Sequence, residues 1–204
     1  MGENLILYDW LSFTMKTSDP YTIVDLLGLS NVPWELTKGA RGYKDRLYFN
    51  CISIHFNGRD DMGVWCELSG QGCRAFESLT TLPGKWDDLF QSINDLHLNI
   101  TRLDVAYDDH TGVLDIDQII QDTRAQEYVS KSNYWEVIES SKGQSLQFGS
   151  PQSDVLIRIY DKARERNCPL GQHWIRCELQ LRRERAISFT KLGFPSASVI
   201  VVYS

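Results

Sequence analysis

Residues 155–162 read VLIRIYDK, a run in which Ile157 and Ile159 alternate with Arg158, Tyr160 and Lys162. Successive side chains of a β-strand point to opposite sides of the sheet, so this run predicts a strand with one apolar face and one face carrying two cations and a phenol. Two other stretches have the same period. In TRLDVAYDD (101–109), Arg102, Asp104 and Asp108 fall opposite Leu103, Val105 and Tyr107. In WIRCELQLRR (174–183), Arg176, Glu178, Gln180 and Arg182 fall opposite Ile175, Cys177, Leu179 and Leu181. A half-exposed antiparallel strand accounts for any one such stripe. Three stripes built from carboxylates, arginines and a tyrosine, with few Ser, Thr or Lys, define a shared polar site if the strands are neighbours.

Further strands are expected at Leu5–Thr14, Tyr134–Ile138 and Ser145–Phe148, with a hairpin of Arg46–Phe56 and Met62–Leu68 turning through NGRDD (57–61). Helices are expected in SDPYTIVDLLGL with Ser18 as its cap, around Cys73–Leu79, in LDIDQIIQDTRA, and from about Arg183. In KWDDLFQSINDL (85–96), Trp86, Leu89, Phe90, Ile93 and Leu96 share one helical face and read as core. Strands meeting in hairpins among scattered helices predict an α+β fold, a mainly antiparallel sheet with helices packed on one face, in a single domain over residues 1–204.

Apolar residues at 42% and charged residues at 24% match soluble globular chains and exclude a disordered or membrane-embedded one. No membrane span and no secretory leader is legible, so a cytoplasmic protein is expected. The five cysteines form no CxxC pair, which argues against a disulfide framework or a zinc site. Net charge is −6, yet Arg158–Arg185 holds eight basic and four acidic residues, so a locally basic segment sits in an otherwise acidic chain. Such a segment suits a polyanion bound at one place, and a solvated charged surface explains the same counts.

Phosphodiester transfer makes use of this residue set. Mg²⁺ or Mn²⁺ takes oxygen ligands, for which Asp104 and Glu178 are the candidates and Asp108 a third. Arg158 and Arg176 have the planar fork that suits phosphate oxygens. Tyr160 is the candidate nucleophile, and Lys162 beside it is expected to favour the phenolate, because a free phenol with a pKa of about 10 is scarcely ionised at neutral pH. Tyr107, the competing tyrosine, falls on the apolar side of its strand. Arg102, Arg182, Arg183 and Arg185 are candidates for contacts to a nucleic-acid backbone, and a salt-bridged helix start involving Glu184 explains the last three equally well.

RLDVAYDD (102–109), FGSPQSDVLIRIYDKARER (148–166) and WIRCELQLRRERA (174–186), in this order, resemble the replication initiation factor family of rolling-circle plasmids, which includes filamentous-phage replication proteins and relaxases of conjugative elements. The resemblance runs from about Leu11 to Leu192. It implies metal-assisted nicking and joining of one strand of single-stranded or supercoiled origin DNA, with a 5′-phosphotyrosine link to the protein. By motif the nucleophile is Tyr160, and the metal-site acids are Asp104 and Glu178. A host helicase or polymerase is an implied partner, and a homodimer one of two oligomeric states left open. Paired histidines of the other large nickase class are absent: His55, His97, His110 and His173 are scattered, and His173, beside Trp174, is kept as a further candidate to reach the metal. Family members usually continue past the arginine-rich block, whereas this sequence stops after FPSASVIVVYS, which is read as an edge strand or as a shortened end. Two alternatives stay open, a non-catalytic single-stranded nucleic-acid-binding module and a shortened initiator with a regulatory role. For the first, the polar stripes hold only Tyr160 as a stacking surface.

Overall fold

The computed structural model describes residues 5–141 and 143–191. Ten strands are described: β1 (Leu5–Met15), β2 (Glu35–Lys38), β3 (Asp45–Phe49), β4 (Ile52–Phe56), β5 (Val64–Leu68), β6 (Asn99–Asp109), β7 (Trp135–Ser140), β8 (Gly143–Phe148), β9 (Val155–Asp161) and β10 (Ile175–Leu181). They form one sheet in the order β2-β3-β4-β5-β1-β6-β10-β9-β8-β7. With six helices beside it, this is the expected α+β class. Contacts divide the described chain into two compact units, one of residues 5–7 and 105–181, the other of residues 8–104 and 182–191.

In the second unit, strand pairing lines up alternating rows across the sheet. Phe13, Cys66, Ile54, Leu47 and Leu36 stand opposite one another in one row, and Leu11, Leu68 and Ile52 in the next. Helix α2 (Gly70–Leu79) lies on this apolar side, where Gly72 comes so close to Ile52 and to the Cys51 carbonyl that a Cβ would clash. Helices α1 (Tyr21–Leu26) and α3 (Trp86–Asp95) bury Ile23, Val24, Leu89, Phe90 and Ile93. Trp86 packs on Tyr8 at 4.8 Å and on Phe76 at 4.6 Å between ring centres. Each large apolar side chain removed from water in this way contributes about 1.5–3 kcal/mol.

Four local expectations change. Leu96 is not on the α3 core stripe but exposed at the helix C-cap, because the helix stops one residue before it. Helix α1 begins at Tyr21 with Pro20, not Ser18, at its N-cap, and the Asp19 carboxylate accepts the Tyr21 N–H. The run Arg46–Phe56 is two strands, reversed at Asn50 and Cys51, which both adopt positive φ (40° and 65°) as a tight hairpin turn requires. The short edge strand β2 has no strong alternation and was not expected. Leu36 at this edge is exposed.

In the first unit, β10, β9, β8 and β7 are successive antiparallel neighbours. Leu146, Ile159 and Cys177 stand opposite one another, as do Phe148, Ile157 and Leu179. Helix α4 (Ile116–Arg124), capped by Asp115, packs Ile116, Ile119 and Ile120 on this side. Tyr107 packs there too, as its parity predicts. The intervening rows place Ser145, Tyr160 and Arg176 opposite one another, and beside them Gln147, Arg158 and Glu178. No helix among the described residues is long and apolar enough to cross a membrane. Helix α6 (Arg183–Thr190) starts where expected, and the FPSASVIVVYS tail lies outside the described residues.

Candidate active site

Directly opposed residues of an antiparallel pair sit close on one face, and diagonal neighbours remain within reach of long side chains. Glu178 is diagonal to Tyr160 across β9 and β10, and the Tyr160 hydroxyl donates to Glu178 Oε2 at 3.1 Å. Lys162 opens the short helix α5 (Lys162–Glu165), and its Nζ donates to the phenol oxygen at 3.4 Å. Arg158, directly opposite Glu178, brings Nη1 to 3.9 Å from Oε1 and stands over the Tyr160 ring. Three residues expected to work together, Tyr160, Lys162 and Arg158, thus meet Glu178 on one face.

The environment of the phenol differs from the expected one. Tyr160 is only 8% exposed. Burial first, and then the Glu178 charge, push its pKa well above the ordinary phenol value, against the opposing pull of Arg176 and Arg158. Lys162 does not tip this balance: its own ammonium pairs with Glu165 Oε2 at 2.6 Å. In this state the hydroxyl is a protonated donor, held in place.

Arg176 closes both arms of its fork on Asp108, Nε to Oδ1 at 2.6 Å and Nη2 to Oδ2 at 2.7 Å, and both side chains are buried. Beside it, Asp109 gathers the 110–114 turn. Its carboxylate accepts the N–H groups of Thr111, Gly112 and Leu114, the Thr111 hydroxyl and His173 Nε2. Burial alone would raise its pKa, but the bonds from Leu114, Thr111 and His173 prevail and lower it to about 2. His173 is therefore placed on Asp109, at 3.0 Å. Asp109 is a residue that the strand-parity reading passed over. Thr111 and Gly112, two and three residues on, where an Asp side chain caps a turn, were the available signal.

In the second unit, Asp104 accepts Arg102 Nε on both oxygens, and the Arg102 guanidinium covers the Trp10 ring at 4.4 Å. Arg182, Arg183 and Arg185 lie at the start of α6, in the same unit.

Carboxylate oxygens suit a hard cation, and Glu178 offers one such group beside the phenol. Among the described residues, however, no three His, Cys, Asp or Glu side chains gather into a cation site. This arrangement fits the usual habit of Mg²⁺, which is held through one or two carboxylates together with substrate phosphate and does not need an all-protein cage.

Comparison with known proteins accounts for both units. Residues 98–192 match the model of a family described as Replication initiation factor, and residues 5–92 match one described as Rolling Circle replication initiation protein N-terminal domain. The chain is 32% identical to NicK of Bacillus subtilis (strain 168), named for a DNA relaxase, over 88% of this chain and 56% of that protein. It thus spans little more than half the length of that relative. A solved structure, the rolling circle replication initiator protein from Geobacillus stearothermophilus, superposes with a TM-score of 0.83 at 30% identity, covering 93% of this chain and 78% of the other.

Proposed function

This chain belongs to the replication initiation factor family of rolling-circle initiators, and from that premise we propose that it nicks and rejoins one strand of origin DNA through Tyr160. The observation that carries the reading is the Tyr160 hydroxyl held between Glu178 Oε2 and Lys162 Nζ on one face of β9 and β10. A nucleophile hydrogen-bonded to a proton acceptor and flanked by cations is the pattern that covalent phosphoryl transfer needs.

In the proposed step the phenol oxygen attacks phosphorus, and the bond from phosphorus to the 3′ oxygen breaks as the new bond forms. The phenolic proton passes along its existing hydrogen bond to Glu178 Oε2, and the departing 3′ oxygen takes a proton from water. The products are a 5′-phosphotyrosine and a 3′-hydroxyl, and the reverse reaction rejoins the strand. Lys162 offsets charge on the phenol oxygen during attack. Arg158, whose side chain is 40% exposed, reaches the non-bridging phosphate oxygens. Mg²⁺ or Mn²⁺ belongs to the same proposal: Glu178 would hold it beside the phenol, Asp104 is assigned to it by motif alone, and the ion would offset charge on the scissile phosphate. Arg102, Arg182, Arg183 and Arg185 are proposed backbone contacts; Arg176, expected among them, is buried with both arms of its fork on Asp108 and is left to structure. A host helicase or polymerase and a second copy of the chain are further proposed partners, and the bacterial cytoplasm the proposed setting.

The test uses labelled single-stranded oligonucleotides tiled across the replicon that encodes the chain, incubated with Mg²⁺ or Mn²⁺ and run on a denaturing gel. The expected result is a covalent adduct with the unmodified protein and none with Tyr160→Phe. Equal cleavage by Tyr160→Phe overturns the assignment of the nucleophile.

A further inference from the structure

The second unit has a polar side of its own, opposite the rows that carry its core. Pairing places Thr14, Trp65, His55, Arg46 and Thr37 in one row and Ser12, Glu67, Ser53, Tyr48 and Glu35 in the next. The rings form a pile: His55 stacks on Trp65 at 4.6 Å with 17° between planes, and Tyr43 stacks on the same Trp65 at 6.3 Å and 29°. Arg41 lays its guanidinium over Trp65 at 4.9 Å, and Arg46 lays its own over Tyr48 at 4.8 Å.

These two arginines are held differently from those of the candidate site. Arg102, Arg158, Arg164 and Arg176 each stand within 4 Å of a carboxylate oxygen. Among the described residues neither Arg41 nor Arg46 has such an ion pair. Arg46 is steadied instead by its Nε bond to Thr37 Oγ1 at 2.9 Å. Arg41 is exposed and keeps a positive φ of 52° in the turn where Tyr43 N–H bonds the Ala40 carbonyl. A left-handed backbone at a residue other than Gly or Asn persists only where the surroundings enforce it. Glu67 of these rows feels the field of Arg41 without an ion pair to it. Within the pile, His55 Nδ1 is buried without a hydrogen-bond partner among the described residues.

A guanidinium fixed flat on an aromatic ring and left without a carboxylate keeps its N–H fork for an outside anion, and its free plane for a base. We propose that this face, through Arg41 and Arg46, binds a segment of single-stranded DNA, phosphates on the forks and bases on the guanidinium planes. The proposal rests on the nicking reading only for the choice of DNA as the polyanion. It adds a contact surface in the second unit, on a pair of arginines outside the motif blocks.

The test is fluorescence anisotropy of a labelled oligothymidine, titrated with the full chain over a series of salt concentrations. Arg41→Gln and Arg46→Gln are expected to weaken binding several-fold each, and to lower the slope of log affinity against log salt by about 0.7 per lost phosphate contact. Arg41→Lys with Arg46→Lys keeps the charge without the plane, and is expected to recover the slope but only part of the affinity. Circular dichroism melting confirms that each variant is folded. A double glutamine variant that is folded and binds with unchanged affinity and slope overturns the proposal and turns these arginines toward an acidic protein partner. Because the assay reads binding to a sequence that is not an origin, its outcome does not depend on whether Tyr160 cleaves.

Discussion

The Tyr160 hydroxyl donates to Glu178 Oε2 at 3.1 Å, so the candidate nucleophile and a carboxylate are joined before any substrate arrives. Removing the acceptor charge while keeping the shape tests what this bond does. Glu178→Gln, and Asp104→Asn on the strength of its motif, are expected to fold and to bind DNA nearly as well as the unmodified chain. Cleavage is expected to drop by at least about 100-fold, the lower end of what a positioned acid–base group contributes. Adduct formation and anisotropy measured on the same preparations check this, and loss of folding would reassign both residues to structure.

Chelation with EDTA is expected to stop adduct formation and leave the melting temperature unchanged. Glu178 is the carboxylate beside the phenol, so in this proposal the ion is held largely through substrate phosphate and the fold is expected to gain little from it. A fall of several degrees on adding EDTA would contradict this.

Arg176 and Asp108 are both buried and hydrogen-bonded twice. Arg176→Ala leaves a buried carboxylate with no counter-charge and is expected to cost about 3–5 kcal/mol in urea unfolding. Arg59→Ala, which breaks a fully solvated pair with Asp61, is expected to change stability by less than about 1 kcal/mol. Equal effects of the two substitutions would show that burial of the first pair does not matter.

His55 carries a pH signature. Burial, then the charges of Arg46 and Arg41, lower its pKa to about 4 from the ordinary 6.5. The unfolded chain therefore binds a proton that the folded one refuses, and stability from this residue is complete above pH 6.5 and is lost as pH falls towards 4. A loss of roughly 2–3 kcal/mol over that window is expected. Urea midpoints for His55→Gln should be flatter across the same pH range, and parallel curves would count against the assignment.

Gly149 has φ +93°, and a Cβ there would meet the Val155 carbonyl at 2.7 Å. This glycine turns β8 into β9, whose pairing carries Tyr160. Gly149→Ala is expected to destabilise the chain by more than about 1 kcal/mol. An unchanged melting temperature would show that the turn relaxes freely.

Period-two alternation in VLIRIYDK and WIRCELQLRR was enough to place Tyr160, Arg158, Lys162 and Glu178 on shared faces, because sheet parity is a local property of each strand. Which strands lie side by side is a long-range matter that no local pattern encodes, and the adjacency of β9 and β10 came only with the structure. The Trp86, Leu89, Phe90 and Ile93 stripe was legible for the same local reason. Partner choice was not: Arg176 pairs with Asp108 and Arg102 with Asp104, while the phenol keeps Glu178, selections that depend on distances between strands. The aromatic pile of Tyr43, His55 and Trp65 was equally hidden, since its members come from a loop and two strands. Strand β2 and the Asn50–Cys51 turn escaped because four residues without clear alternation, and a cysteine at positive φ, leave no composition signal.

The rows of β8, β9 and β10 also constrain how such a chain can evolve. Ser145, Tyr160 and Arg176 share a row only because three strands keep step. A slip of one position in β9 would bring Ile159 or Asp161 to the place of the phenol and turn the reactive group into the oily interior. A substitution at one rung therefore changes one side chain, while losing or gaining a single rung within these strands removes chemistry and packing in one event.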